Sequence, residues 1–249
     1  ATTSLVATAL ARGSTDKAFR TATDSLLLST VAGLAVAVAV AIIAKPALAL
    51  MLSATGGEDV LASALAYLRI RLLGIPCVLM TCAASASLQA TRDSMSPLLA
   101  ITGGAVANLA LDIWLCLRLG WGVAGAAYAT VTCQAIEAVV LLAALQRKRA
   151  ALAPRCASLS LFTWPSRRTF RRFVDFAGPI FFVIQGKILA YNALTLAVAA
   201  SGSISALAGH QVLATIFFTC SMVGDGLTQT VQAFLPASLD ASGRATPAT

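Results

Sequence analysis

The residues that could do chemistry in this sequence are the polar ones set inside long apolar runs. Lys187 lies near the middle of one run, with Gln185 and Asn192 close by. Asp225 lies in the next run between Gly224 and Gly226, and Gln229 and Gln232 continue roughly the same helical face. A charged group inside a membrane span costs roughly 2.5–3.5 kcal/mol on insertion scales, so each invites a functional reading. A Lys187–Asp225 ion pair would reduce both costs. The alternative is a water-filled cavity, in which Lys187 attracts an anionic substrate group and Asp225 binds a proton or another cation. Burial adapts a carboxylate to proton exchange.

Asn108 and Asp112 are four residues apart and share one helix face. They either bridge neighbouring helices near the outer end of a span or belong to a pathway for substrate or ions. Glu137, one turn after Gln134, either snorkels toward the basic loop or has a functional role inside its span. His210 is the only histidine and sits beside Gln211 near the start of the last apolar run; a helix-end hydrogen bond accounts for it better than a proton relay. The six cysteines form no CxxC, and no His/Cys/acid grouping has metal-ligand spacing, so neither a disulfide framework nor a metal site is expected. No P-loop, HExxH or GxSxG signature occurs, which argues against an enzyme.

The elements holding these residues must be membrane spans. Of 249 residues, 58% are hydrophobic and 11% charged, where soluble domains carry about 25% charged residues. A mean hydropathy of +0.84 leaves too little polar surface for a water-soluble globule. Spans need roughly 20 mostly apolar residues. Six are expected: Ser25 to Ala44, Val60 to Thr91, Pro97 to Leu117, Gly122 to Leu145, Phe173 to Ala200 and Ser203 to Pro236. Ser96 is expected to cap the third of these, with Pro97 in its first position. Ala1 to Ala11 is apolar but too short to span, which suggests that helical sequence precedes it.

Net charge is +8, yet its distribution speaks against nucleic acid. Eight of the 18 Lys and Arg residues fall between Arg147 and Arg172, a stretch without an acid. Odd-numbered loops hold 12 basic residues and even-numbered loops two, leaving aside Arg69, Arg71 and Lys187 within the runs and Arg244 in the tail. This alternation places the odd loops and the C-terminus on the cytoplasmic side or its topological equivalent.

Several stretches resemble the multidrug and toxin extrusion (MATE) transporters. Leu88 to Leu98 resembles the turn after their fourth helix, and Asn108-x-x-x-Asp112 resembles a pair in their fifth. Leu119-Gly120-Trp121-Gly122-Val123-Ala124-Gly125-Ala126-Ala127-Tyr128-Ala129-Thr130 resembles the glycine-rich start of their sixth, where the glycines serve a tight turn and close helix contact. Ala208 to Val212 resembles the Ala-His-Gln stretch of helix eight, and Asp225 to Gln229 the segment after it. The likeness extends over nearly the whole chain and points to the plastid branch of the plant and algal DETOXIFICATION proteins, which also tend to have a lysine where Lys187 stands.

That resemblance implies an all-α polytopic membrane protein with part of a MATE fold, late helix two to helix eight of two six-helix bundles. Residues 1–146 would form part of the N-terminal bundle, 147–172 a basic cytosolic linker, and 173–249 the start of the C-terminal bundle. It implies a multi-pass protein of the plastid envelope. Such a protein would export small organic anions or cations by alternating access as a monomer in the lipid bilayer. No cofactor is implied beyond a proton or sodium gradient, with protons favoured. The pathway residues would be Lys187, Asp225, Asn108, Asp112, Gln185 and Gln229. Many family members carry a coupling carboxylate in helix seven, where this chain has Lys187 and Gln185, with Asp175 only at the start of that span. Others use an acid in helix one, outside this sequence. Two rival readings are a lipid-linked oligosaccharide flippase of the same superfamily, expected to carry more cationic groups in its cavity, and a non-transporting scaffold or receptor, which the intramembrane charges disfavour.

Overall fold

The computed structural model describes residues 2–53, 61–152, 167–200 and 204–234. Within these the chain is α-helical, without a strand. The helices are α1 (Thr2–Ala11), α2 (Thr15–Ser53), α3 (Leu61–Leu72), α4 (Ile75–Ala90), α5 (Met95–Asp112), α6 (Gly122–Leu152), α7 (Arg167–Ala200) and α8 (Ile204–Phe234). A π-helical segment, Ile113–Arg118, continues α5. Six stretches are long and apolar enough to cross a membrane, α3 and α4 together making one of them. The Gly56 to Asp59 loop, most of the basic linker after Leu152, the break at Gly202 and the polar tail lie outside the described residues.

Residues 2–165 and 166–249 form two separate compact units. In the first, α2 packs against α1, α3 and α4, while α6 packs against α3, α4 and α5. Its core joins Phe19 and Leu26 of α2, Ala83, Ala84 and Leu88 of α4, Ala100 of α5, and Leu141 and Leu145 of α6. A second apolar cluster ties Val6 and Ala7 of α1 to Ala18 and Ala22 of α2 and Ala90 of α4. Small residues at these contacts let helix backbones approach closely, which replaces the hydrophobic driving force that lipid does not supply. Backbones come close where α2 crosses α4: a Cβ added at Gly33 would stand 2.7 Å from the Pro76 Cα.

Three boundaries differ from the sequence expectation. The first span is longer at both ends, because α2 begins at Thr15 and runs through Lys45-Pro46. Asp16 in its first turn favours the N-terminus of the helix dipole, and proline costs a helix one hydrogen bond without obliging it to stop. The second span is broken at Leu73-Gly74, just before Pro76. The third is capped by Asp93 rather than Ser96. The Ser96 N–H donates to Asp93 Oδ1 at 3.1 Å and its hydroxyl donates to Oδ2 at 3.1 Å. Ser96 therefore lies inside the first turn of α5, and Pro97 is its third residue.

The glycine-rich turn before α6 has the expected geometry. Gly120 (φ +68°) and Gly122 (φ +53°) occupy the left-handed region that side chains disfavour. A Cβ at Gly125 would lie 3.2 Å from the Leu115 Cβ, so α6 is pressed against the π-helical segment.

At the other end, α6 continues through Arg147-Lys148-Arg149 to Leu152. Lys148 Nζ lies 3.6 Å from Asp93 Oδ2. The α4–α5 turn and the basic end of α6 therefore share one end of the bundle, as the charge alternation requires. Burial pushes the Asp93 carboxyl up, but the Ser96 N–H and hydroxyl, with Lys148, outweigh it and hold Asp93 below the ordinary carboxylate value.

Candidate functional site

The polar groups of the first unit converge on the seam between α5 and α6. Asn108 and Asp112 stand one turn apart on α5, and Thr130 faces them from the third turn of α6. With its amide nitrogen turned to Asp112, Asn108 donates to Oδ2 at 3.2 Å, and its oxygen accepts from the Thr130 N–H at 3.2 Å. This orientation is assigned from the bonding pattern, since the opposite one sets the Asn108 oxygen against a carboxylate. The Thr130 hydroxyl donates back to the Ala126 carbonyl at 2.9 Å. Asp112 Oδ1 is buried and accepts no hydrogen bond among the described residues. A buried carboxylate oxygen without a donor is costly. That oxygen is open to a positively charged partner. It sits where α5 passes into its π-helical turn, a geometry common at functional sites.

Three further polar residues mark the same helices. Arg71 of α3 donates to Gln134 of α6 at 3.5 Å, so this arginine reaches across to a neighbouring helix. Glu137 does not reach for the basic end of α6. Its side chain lies over Gly104 of α5, where a Cβ would come within 2.6 Å of the Glu137 Cγ. Cys133, buried between, is within electrostatic reach of both Asp112 and Glu137. Beside them an open groove of about 550 Å³ runs along α5 and α6 from Ser96 and Arg147 to Ala107 and Cys133.

The second unit holds the other four sequence candidates on two antiparallel helices. His210 Nε2 of α8 shares a hydrogen bond with the Thr195 hydroxyl of α7 at 3.0 Å. Tyr191 of α7 packs on Phe217 and Phe218 of α8, with ring centroids 5.5 and 5.3 Å away. Lys187 Nζ stands 5.8 Å from the Tyr191 ring centroid, one turn along the same helix, as a cation–π contact. A Lys187–Asp225 ion pair, one of the two alternatives the sequence left open, is not among the described ion pairs. The reason is register: the Thr195–His210 and Tyr191–Phe217 contacts place Lys187 level with residues near 220, and Asp225 lies roughly 6–9 Å farther along α8 at 1.5 Å per residue. Gln185, Lys187 and Asp225 are all exposed, and Gln229 lies on α8 one turn beyond Asp225.

Sequence reasoning thus found the Asn108–Asp112 pair but gave Thr130 no role, and of the two readings left open for Glu137 the structure does not show the snorkelling one. The Gly103-Gly104 pair was the available signal, since adjacent glycines in a helix make room for a large side chain across the seam.

A MatE family model matches residues 1–114. The chain is 29% identical over 249 residues to the protein DETOXIFICATION 47, chloroplastic, of Arabidopsis thaliana, covering 99% of this chain and 44% of that protein. It is 30% identical over 233 residues to DNA damage-inducible protein F of Escherichia coli (strain K12), covering 93% of this chain and 49% of that protein. Among solved structures, one of MATE in the bent conformation aligns with a TM-score of 0.71 at 20% identity, over 95% of this chain and 51% of the other. A MOP superfamily transporter from Pyrococcus furiosus aligns with a TM-score of 0.66 at 20% identity, over 95% of this chain and 50% of the other. The chain spans about half the length of the relatives it matches.

Proposed function

We propose, from the premise that the chain belongs to the MATE family of transporters, that it supplies the cation-coupling site of a secondary exporter of small organic compounds. Asp112 is the coupling acid, protons are the coupling ion, and Asn108 and Thr130 hold its carboxylate in place. The observation that carries this reading is the buried Asp112 Oδ1, which has no donor among the described residues, beside an oxygen already engaged by Asn108. A proton or cation bound to that open oxygen can be tied to the conformational state of the bundle. Protons also match a site built from one acid, one amide and one hydroxyl, which offers few oxygens for a hard cation.

The hairpin of α7 and α8 carries the substrate side in this account. Lys187, Gln185, Asp225 and Gln229 provide charged and amide groups along two helices otherwise rich in aromatic and aliphatic side chains. Lys187 over Tyr191 suits an organic anion with an apolar body. The chloroplastic relatives support the plastid envelope as the compartment.

The test is Asp112→Asn in the full-length protein reconstituted in vesicles. A substrate of the wild-type protein, found by screening organic anions and cations, is followed under an imposed pH gradient and again in equilibrium exchange. The expected result is loss of gradient-driven export with exchange retained. Wild-type gradient-driven export in Asp112→Asn overturns the reading.

A further inference from the structure

Glu137 is the one acid of the α5–α6 seam that the coupling site does not use. Its carboxylate makes no hydrogen bond or ion pair among the described residues, although it lies ten residues from the basic end of α6, roughly 15 Å at the helical rise. Its place is shaped by the opposite helix: Gly104 leaves the space that its side chain fills, and even a methyl group there would meet it. The groove in which it stands runs from Ser96 and Arg147 at the basic end to Ala107 and Cys133. It reaches Ala107, next to Asn108, and Cys133, about one turn from Thr130. Glu137 therefore lies between the mouth of the groove and the coupling acid.

We propose that Glu137 is a proton relay between Asp112 and the aqueous phase at the basic end of the bundle. This rests on the reading of Asp112 as the proton-coupling acid. Gly104, from which the axial distance to Asp112 is roughly 12 Å, marks the level of Glu137 on α5. The groove leaves room for a file of waters as far as Ala107 and Cys133, and further water must bridge the roughly 7.5 Å along α5 from Ala107 to Asp112. In the release step protonated Asp112 gives its proton to a groove water, and the Glu137 carboxylate takes a proton from that water file. Glu137 then gives it to water at the mouth. One proton leaves, and Glu137 returns to its starting charge.

The surroundings suit that role. Within the groove α5 presents Ser96, Gly103, Gly104 and small or aliphatic residues, so no charged neighbour on α5 fixes the state of Glu137. On α6 the nearest ionisable groups are Cys133, one turn away, and Arg147 at the mouth. On α3, Arg71 is directed to Gln134 rather than to Glu137. On α4 the core residues Ala83, Ala84 and Leu88 are apolar, and Thr81, Ser85 and Ser87 carry buried hydroxyls rather than charges.

The experiment is a pH jump applied on the Arg147 side of vesicles containing the full-length protein, with protonated carboxyl groups followed by time-resolved infrared absorption. Asp112→Asn identifies the Asp112 band. The expected result for Glu137→Gln is slowing of Asp112 proton exchange by roughly tenfold or more, with an unchanged end point and restoration by Glu137→Asp. Exchange at the wild-type rate in Glu137→Gln overturns the relay and leaves Asp112 as the coupling acid. Absence of any band lost in Asp112→Asn overturns the coupling reading and the relay with it. Should Glu137→Gln fail to fold, Gly104→Ala is the second variant, since it keeps the acid but displaces it. Slowed exchange in Gly104→Ala supports the relay, and an unchanged rate contradicts it.

Discussion

The two units treat intramembrane polar groups in opposite ways. In the first unit Asn108, Thr130, Gln134 and Glu137 each meet a neighbouring helix, Asp112 is held by Asn108, and the apolar core behind them spans four helices. In the α7–α8 hairpin, Lys187 and Asp225 are exposed, and the contacts between helices are made by Tyr191, Phe217, Phe218, Thr195 and His210. The same signal in sequence, a charge inside an apolar run, therefore has two meanings. In the bundle it marks a polar seam of fixed geometry. On the hairpin it marks groups whose chemistry is not set by the partner helix.

The sharpest way to break this comparison is to neutralise one acid in each unit. Asp112→Asn is expected to lower gradient-driven export by about a hundredfold or more, the scale of losing a positioned acid–base group. Asp225→Asn in the same assay is expected to reduce export by roughly tenfold without loss of folded protein. Equal and complete loss in both variants would erase the distinction between a fixed site and an adjustable one. Packing gives the next test. Gly33→Ala forces a Cβ toward the Pro76 backbone and is expected to cost roughly 1–3 kcal/mol, read as a lowered unfolding temperature in detergent. An alanine at Gly186 or Gly209 on the hairpin, where a Cβ meets nothing within 4 Å, should leave that temperature unchanged or higher.

The smallest effect concerns the basic end of the bundle. Asp93 has a lowered pKa in the folded protein, so its contribution to stability is present above the ordinary carboxylate range and is lost as pH falls through the folded value. Stability of the wild-type protein should decline below about pH 4, and Asp93→Asn should flatten that decline. Lys148→Gln should flatten it only in part, because its pair with Asp93 is partly exposed and worth about 0.2–1 kcal/mol.

Much of this architecture was legible in the sequence. Composition and run length gave the six spans, and loop charges gave an orientation that the Asp93–Lys148 contact fits. The glycines at 120, 122 and 125 were readable because backbone conformation and close approach restrict residue type strongly. The Asn108–Asp112 pair was readable because it lies on one helix. What was not legible depends on the rotation and register of one helix against another. Thr130 joins the pair only through the way α6 meets α5, and Glu137 turns to α5 because Gly104 happens to stand opposite. Lys187 and Asp225 looked like partners because both are isolated charges, and the hairpin register sets them apart. The Ser96 expectation failed for a local reason: Asp93 offers two acceptor oxygens, and Ser96 can satisfy both.

The central claim is that Asp112 carries the proton that substrate displaces. The most direct measurement is the number of protons released when a transported compound binds the purified full-length protein in weakly buffered medium. The account predicts release from the wild-type protein and none from Asp112→Asn that still binds the compound. The same proton release from Asp112→Asn as from wild type would contradict it.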